Sequence, residues 1–207
     1  MRPPPHHEPA PVLEGARLAL VPLQPEHADE LFTVLDPDMF AILAGRPAAW
    51  TREAFVEFIA RACTAPNRMA FAMRLRATGA IVGSTSMFDF RPEHRGVEIG
   101  YTWIARPWQG TFVNPEAKLL LLRHAFTTLG MLRVQFQTDL RNVQSQRALV
   151  KLGCVREGVL RKHKVLPDGH VRDTVLFSIT DDEWPAVEAR LMARLADTPD
   201  PGRDVCG

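Results

Sequence analysis

The chain has 207 residues, of which 46% are apolar and 24% are charged, and its 25 basic residues nearly balance its 24 acidic ones. These values are ordinary for a globular domain, and the near balance of charges argues against a nucleic acid or an anionic membrane as partner. The sequence contains no apolar run near the roughly 20 residues of a membrane-spanning helix. The three cysteines are odd in number and far apart, so we expect no disulfide framework, no Cys-based zinc site and a cytoplasmic location.

The two ends of the chain carry no periodic pattern. Residues 1–14 are rich in proline, and residues 196–207 mix proline, glycine and charge. We therefore expect disordered tails on either side of one folded domain that spans residues 15–195. His6 and His7 fall within the first tail, and we expect no metal site there or elsewhere.

The first half of the domain predicts one strand, two helices and three further strands. The first helix begins at Pro25, which suits a first helical turn, and the second begins after Thr51, which suits an N-cap. The later strands are rich in β-branched and aromatic residues, and residues 77–79 fit a hairpin turn. The predicted strands span residues 16–23, 69–75, 80–88 and 97–104.

The second half alternates helices and strands. Asn114 is the predicted N-cap of a helix that has Pro115 at its first position and ends at Gly130. A capping box at residues 180–183 predicts a terminal helix that runs to about Leu195. Between them we predict strands at residues 133–139, 155–165 and 170–179, a helix at residues 143–152, and a turn at residues 167–169.

The resulting element order is βααβββαβαββα, in which hairpins stand beside βαβ crossovers. This order predicts an α/β (α+β) fold with one central mixed sheet and helices on both of its faces. A doubly wound parallel sheet is disfavoured, because it would contain no hairpins.

Two junctions between a strand and a helix carry the clearest functional signal. In residues 97–125 a glycine-containing loop precedes the Pro115 helix, and the unpaired N–H groups of a helix start can hold a phosphate. An ordinary connection is the alternative, favoured by Glu116, whose charge already complements the helix dipole. The second junction, residues 139–158, places Asn142 at a helix start, where it is most simply an N-cap.

A series of motifs runs through the chain in a fixed order. They are Val97-Glu98-Ile99-Gly100-Tyr101, Trp108-Gln109-Gly110, Asn114-Pro115-Glu116-Ala117-Lys118, Asp139-Leu140-Arg141-Asn142, Ser145, Lys151-Leu152-Gly153, Arg156-Glu157-Gly158, Arg172-Asp173 and Glu183-Trp184-Pro185. Together they resemble the GNAT superfamily of acyl-CoA N-acyltransferases, and most closely its RimJ/RimL-like branch of ribosomal-protein N-terminal acetyltransferases. The resemblance covers residues 15–195.

In that family, two neighbouring parallel strands of a twisted sheet splay apart and admit the pantetheine arm of acetyl-CoA. The resemblance implies that residues 97–104 and 133–139 form this gap here, and that the pyrophosphate lies on the loop at residues 109–114. The residues that it assigns to acetyl-CoA binding are Trp103, Ile104, Ala105, Arg106, Gln109, Gly110, Thr111, Phe112, Val113, Asn114, Asn142 and Ser145.

The phosphate loop departs from the family pattern at two positions. Pro107 replaces a polar residue and cannot donate a main-chain hydrogen bond, and Phe112 replaces a glycine, so that its side chain is expected to restrict the approach of the pyrophosphate. Arg106 and Asn114 are then alternative phosphate ligands. The two departures also favour a second functional hypothesis, a GNAT-fold binding module with little or no turnover.

Acetyl transfer to an amine requires a base. Glu98 matches a glutamate that serves as base in some members of the superfamily, and partial burial would raise its pKa and make it a better proton acceptor. A structural carboxylate bonded to Arg95 or Arg133 is the alternative, and His163 is a second candidate base. Ser145 matches a residue near the thioester sulfur and is a candidate proton donor to the departing thiolate.

The resemblance thus implies an acetyl-CoA-dependent N-acetyltransferase that moves an acetyl group to a primary amine by direct attack. The acceptor would be a protein N-terminus or a small amine, bound among the first two helices, residues 89–94 and residues 167–170. We expect acetyl-CoA and the amine as partners, no metal, no nucleic acid and no membrane, and a homodimer, as is common among relatives. Cys154 follows a helix-ending glycine and is expected to be a small core residue rather than a nucleophile.

Overall fold

Eight strands form one mixed sheet in the order β1-β2-β3-β4-β5-β6-β8-β7, in a computed structural model that describes residues 10–40, 45–166 and 168–198. The β5–β6 pair is parallel, and the other neighbouring pairs are antiparallel. The strands are β1 (Leu13–Glu14), β2 (Leu18–Pro22), β3 (Arg68–Leu75), β4 (Ile81–Arg91), β5 (Gly96–Ile104), β6 (Arg133–Asp139), β7 (Val155–Val165) and β8 (Val171–Thr180). The α-helices of the described residues are α1 (Ala28–Val34), α2 (Arg52–Thr64), α3 (Val113–Arg123), α4 (Val143–Leu152) and α5 (Trp184–Ala196).

Helices cover both faces of the sheet. On the first, here called the α3 face, Leu121 of α3, Leu149 of α4 and Val187 of α5 share a core with the strands. On the second, the α1–α2 face, Leu31 of α1 and Phe55 of α2 belong to a separate core. The predicted mixed sheet between two helical layers is therefore confirmed.

The ladder between the parallel strands β5 and β6 stops early. Pairing joins Gly96, Val97 and Glu98 of β5 to residues 133–135 of β6, and no ladder continues beyond these pairs. β5 nevertheless runs on to Ile104 and β6 to Asp139. We call the resulting gap, between residues 99–104 and residues 136–139, the opening. It confirms the predicted splay.

Helix α3 begins two residues earlier than predicted, and Asn114 is not its N-cap. The helix starts at Val113, whose N–H donates to Thr111 Oγ1 at 3.3 Å, so a hydroxyl of the preceding loop takes over part of the capping role. Pro115 then lies within the first turn, where its missing N–H costs nothing. Thr51, in contrast, is the N-cap predicted for α2, because its Oγ1 accepts from the N–H of Ala54.

The ordered part of the chain extends further at both ends than predicted. Leu13–Glu14 forms β1 and pairs with β2, and the Ala10 and Leu13 side chains pack against the core. The predicted tail at residues 1–14 is therefore wrong for its last residues, because their apolar side chains find a place beside β2. Residues 1–9 and 199–207, which include the rest of both predicted tails, and Pro167 of the predicted turn lie outside the described residues.

Glu116 connects the start of α3 to β2. The residue is buried, and its Oε1 accepts hydrogen bonds from the main-chain N–H groups of Arg17 at 2.9 Å and Leu18 at 3.4 Å. The same side chain lies 3.6 Å from the Arg17 guanidinium. Glu116 therefore does more than complement the helix dipole, because it fixes the first turn of α3 against the sheet.

We expect Glu116→Ala to lower the free energy of unfolding by about 2–3 kcal/mol, because the buried N–H of Leu18 and the partly buried N–H of Arg17 lose their acceptor. Urea unfolding followed by circular dichroism measures the loss. Glu57→Ala, which removes an exposed carboxylate of α2, is the control and should stay within about 0.5 kcal/mol of the wild type. Equal stabilities of the two variants would contradict the proposed connection.

Candidate active site

Glu98 lies at the closed end of the opening, where β5 last pairs with β6. Its side chain points to the α1–α2 face, because its neighbours Val97 and Ile99 belong to the core of the α3 face. Glu98 is 5% exposed, and its Oε2 accepts hydrogen bonds from Nε2 of Gln135 at 3.2 Å and of Gln137 at 2.9 Å. The closed end of the opening thus holds a buried carboxylate whose hydrogen-bond donors are neutral amides.

Burial raises the pKa of the Glu98 carboxyl to about 7, because removal from water disfavours its charged form. Nearby Lys164, the hydrogen bond from Gln135 and the charge of Arg91 each lower this pKa, and Asp89 raises it. The balance leaves the carboxyl close to half ionised at neutral pH. A group in that state accepts and releases a proton readily, as a general base must.

The two arginines proposed as structural partners of Glu98 are bonded elsewhere. Arg95 Nε donates to the carbonyl oxygen of Gly130 at 2.8 Å. Arg133 forms a bidentate pair with Glu157. The catalytic role of Glu98 stays a prediction, and so does a structural role, in which Gln135 and Gln137 replace the proposed arginines as partners.

The loop between β5 and α3 presents main-chain N–H groups. Gly110 has a φ of +78°, and a Cβ at that position would have no atom within 4 Å, so the loop is open on this side. The N–H groups of Gly110 and Asn114 find no acceptor in the part of the chain that the structure describes. Unpaired N–H groups ahead of a helix favour an anion. The anion-site interpretation of this junction therefore gains support over an ordinary connection.

Two side chains predicted to meet the phosphates already have other partners. Arg106 Nε donates to Asp36 Oδ2 at 2.5 Å, and its guanidinium lies 3.7 Å from Asp38. Gln109 Nε2 donates to the carbonyl oxygen of Ile104 at 2.9 Å. Each side chain thus has a partner outside the loop, and the main-chain N–H groups are the unpaired donors that the loop offers.

Phe112 does not stand over the loop. Its ring is buried in the core of the α3 face, 5.9 Å from the Trp108 ring, with the Arg17 guanidinium 4.3 Å from its centre. The expectation that Phe112 restricts the approach of a phosphate is therefore wrong, because the side chain packs inward. The neighbouring Asn114 has a buried Oδ1 that finds no hydrogen-bond partner among the described residues.

Trp103, Ile104 and Ala105 have buried side chains, so their main chain is what they can offer to a cofactor arm. The Trp103 ring packs 5.1 Å from that of Phe40 in the core of the α1–α2 face. The N–H of Ala105 already donates to the carbonyl oxygen of Val82 at 2.9 Å. The predicted main-chain contacts of these residues stay predictions.

The start of α4 brings Asn142 and Ser145 to the end of β6. Asn142 is the N-cap, as predicted, because its Oδ1 accepts from the N–H of Ser145 at 2.9 Å. Ser145 lies four and seven residues before Leu149 and Leu152, which are buried in the core of the α3 face. Helical periodicity therefore directs Ser145 toward that face of the sheet, near the wide end of the opening.

His163 is less well placed than Glu98 to act as a base. It lies on the exposed edge strand β7, which β8 and β6 separate from β5. Burial and the charges of Lys164 and Arg172 lower its pKa. Lys164, the next residue, reaches toward Glu98, since its Nζ donates to Gln137 Oε1 at 3.3 Å.

Cys154 belongs to the core, as predicted, and burial raises the pKa of its thiol to about 12, which leaves it unreactive. Among the described residues, no group of three or more His, Cys, Asp or Glu side chains could hold a metal ion. Within the same ranges, no helix combines the length and the apolar character needed to cross a bilayer.

Lys118 is a buried cation that sequence reasoning left without a role. Its Nζ donates to Thr102 Oγ1 of β5 at 2.9 Å and lies 5.9 Å from the centre of the Phe136 ring of β6. The ammonium therefore lies at the opening on the α3 face. Burial lowers its pKa to about 8, the nearby Cys154 opposes this, and no carboxylate within the described ranges contributes.

The sequence and the fold of this chain are similar to those of known proteins. The family model described as acetyltransferase (GNAT) domain matches residues 17–155. The crystal structure of an inferred acetyltransferase from T. thermophilus is 44% identical, with a TM-score of 0.84 over 89% of this chain and 96% of that chain. The uncharacterized N-acetyltransferase YoaA of Bacillus subtilis is 27% identical over 172 residues, 82% of this chain and 96% of YoaA. Mycobacterium smegmatis RimJ, solved with CoA-disulfide, is similar in fold, with 22% identity and a TM-score of 0.71 over 86% of this chain and 88% of RimJ.

Lys118→Met measures the cost of the buried ammonium. The pKa of Lys118 falls from 10.5 to about 8 on folding, so below pH 8 both states are charged and the folded state bears the full penalty. Between pH 8 and 10.5 the unfolded state binds more protons, so the wild type gains stability as the pH rises. We therefore expect the variant to be about 3 kcal/mol more stable than the wild type at pH 7, with the gap closing toward pH 10.5.

Urea unfolding at a series of pH values tests this expectation. Lys151→Met, which removes an exposed lysine of α4, is the control and should show no such closing gap. A gap of the same size at every pH would mean that packing, and not charge, separates Lys118→Met from the wild type.

Proposed function

Because the chain belongs to the GNAT acetyltransferase family, we propose that it transfers an acetyl group from acetyl-CoA to a primary amine, which attacks the thioester directly. The observation that carries the proposal is the opening, where the β5–β6 ladder stops after Glu98 and Gln135. An extended thioester arm suits such a gap, because its amides can form hydrogen bonds with the main-chain N–H and C=O groups that have no partner strand there. The fold neighbour RimJ, solved with a CoA disulfide, supports a CoA site in this fold.

The loop before α3 is the proposed pyrophosphate site. The N–H groups of Gly110 and Asn114, together with the positive end of the α3 dipole, would hold the phosphates. Asn142 at the start of α4 and the main chain of residues 103–105 would hold the arm. The proposed site does not require Arg106, whose guanidinium pairs with Asp36 and Asp38.

Glu98 is the proposed general base. An attacking amine must lose a proton, and a carboxylate whose pKa is about 7 accepts it readily near neutral pH. Because Glu98 points to the α1–α2 face, we infer that the amine enters from that side of the sheet. Ser145, which faces the other side, is the proposed proton donor to the departing thiolate.

The proposed acceptor is a protein N-terminus or a small amine, bound on the α1–α2 face. Arg46, in the connection between α1 and α2, lies 3.9 Å from Asp168, so the predicted acceptor segment at residues 167–170 approaches the region of the first two helices. An α-amine suits this site because its pKa, near 7.7–8.0, asks little of the base. The burial of Phe112 removes one of the two observations that favoured a binding module without turnover. A cytoplasmic location and a homodimer stay predictions.

Calorimetric titration with acetyl-CoA tests the cofactor site. We expect micromolar affinity in the wild type and at least about tenfold weaker binding by Gly110→Asp, because the added carboxylate repels the phosphates. Gly79→Asp is the matched control, since Gly79 has the same φ of +78° and open surroundings in the β3–β4 turn. Absence of binding at millimolar acetyl-CoA would overturn the proposal. Equal affinities of the two variants would contradict the loop assignment alone.

The pH dependence of kcat tests Glu98. In thiol-release assays with a panel of amines, we expect wild-type kcat to rise through a pKa of about 7 and Glu98→Gln to be about 10²–10³-fold slower, without that rise. Lys164, Asp89, Arg91 and Arg172 carry the charges that face Glu98.

Two further variants make this test specific. Lys164→Met should move the rise in kcat to higher pH, because the Lys164 charge lowers the Glu98 pKa. Asp182→Asn, which alters an exposed carboxylate before α5, should leave the profile unchanged. A Glu98→Gln variant that kept the wild-type rate from about pH 6 to 9 would remove Glu98 as the base.

A further inference from the structure

The proton transfers proposed above do not involve the charged side chain of Lys118. Its Nζ contacts Thr102 of β5 and approaches the Phe136 ring of β6, so it lies where the two strands have parted. The whole of α3 from Ala117 to Leu122 is buried around it. An ammonium in this position has little water to solvate it.

A buried cation is costly unless an anion or several acceptors compensate it. Thr102 Oγ1 accepts one of the three N–H bonds of the ammonium, and that hydroxyl is itself engaged with Thr85 Oγ1 at 2.8 Å. No carboxylate pairs with Lys118 within the described residues, and Cys154, the titratable group that affects it, is a neutral thiol at pH 7. A buried positive charge therefore remains for which the described residues supply no counter-ion.

We propose that Lys118 is a catalytic residue of the acetyl transfer, whose ammonium lies beside the thioester sulfur and stabilises the thiolate that leaves. This inference rests on the proposed function, because it needs the thioester to lie in the opening. As the amine nitrogen bonds to the acetyl carbon, the carbon–sulfur bond breaks and sulfur keeps its electron pair, while Glu98 takes the amine proton. The negative charge on sulfur then faces the positive charge of Lys118, and Ser145 or water protonates the thiolate before release.

The placement of Lys118 gives the interaction a catalytic rather than a binding role. A thioester sulfur is uncharged, so the ammonium gains little from the bound substrate and most from the charge that develops as the bond breaks. Interactions that strengthen only in the transition state raise kcat, and a cation in a dry site is worth more than one in water. Loss of the Lys118 charge should therefore slow the chemical step and leave acetyl-CoA affinity nearly unchanged.

The thiol of bound CoA reports this interaction without turnover. We would titrate the CoA complexes of the wild type, Lys118→Met, Lys118→Gln and Lys151→Met, and follow the ultraviolet absorption of the thiolate. The wild type and Lys151→Met should lower the thiol pKa by about one unit or more relative to free CoA, and both Lys118 variants should restore it. Lys118→Gln keeps a hydrogen-bond donor without the charge, so a wild-type value in this variant would overturn the proposal. Desulfo-CoA should bind the four proteins equally.

Kinetics and mass spectrometry complete the test. We expect kcat to fall about 10²-fold in both Lys118 variants, with acetyl-CoA Kd within about threefold of the wild type. Wild-type kcat in both variants, with unchanged thiol pKa values, would overturn this inference while the proposed function stands. An acetyl group found on Lys118 would also overturn it, because the residue would then be a nucleophile. Failure of the wild type to bind acetyl-CoA at all would overturn both.

Discussion

The interruption of main-chain pairing between β5 and β6 is the constraint on which the rest of the structure depends. Each of the two strands keeps its other neighbour, since β5 pairs with β4 up to Ile104 and β6 pairs with β8 over its full length. A register shift in the β4–β5 ladder and a φ of +51° at Tyr101 bend β5 where the ladder is lost. The sheet thus stays intact on both sides of a gap whose inner edges carry polar groups in need of partners.

The sheet also separates two ionisable groups that would otherwise neutralise each other. Glu98 lies on the α1–α2 face and Lys118 on the α3 face of the same gap. Burial raises the pKa of the carboxyl to about 7 and lowers that of the ammonium to about 8, so the same physical cause brings both pKa values close to neutral pH. In direct contact, each would stabilise the charged form of the other and both pKa values would move away from neutrality. Their separation across the strands therefore keeps the pKa values of both groups near neutral pH.

The order of the elements and the position of the opening were predictable from the sequence, whereas the surroundings of single side chains were not. Turn residues, capping residues and the motif series specified the sheet, and the cap at Asn142 followed from its local sequence. Lys118 was not predicted to be buried, because α3 is buried nearly all round and this depends on the strands and helices packed against it. The run of four leucines at residues 119–122 was the available signal. The inward packing of Phe112 and the Asp36 partner of Arg106 likewise depend on segments distant in sequence.

Arg17 links parts of the molecule that lie far apart along the chain. Its guanidinium stacks on Phe112 behind the phosphate loop, and its main-chain N–H bonds to Glu116 of α3. The same guanidinium donates to the carbonyl oxygen of Leu195 in the last turn of α5 at 3.1 Å and to that of Thr198, just after α5, at 2.8 Å. Arg17 therefore connects the segment between β1 and β2 and the end of α5 to the proposed nucleotide-binding loop. Tightening of that loop around a ligand would be transmitted to both termini of the fold, where a spectroscopic label could register it.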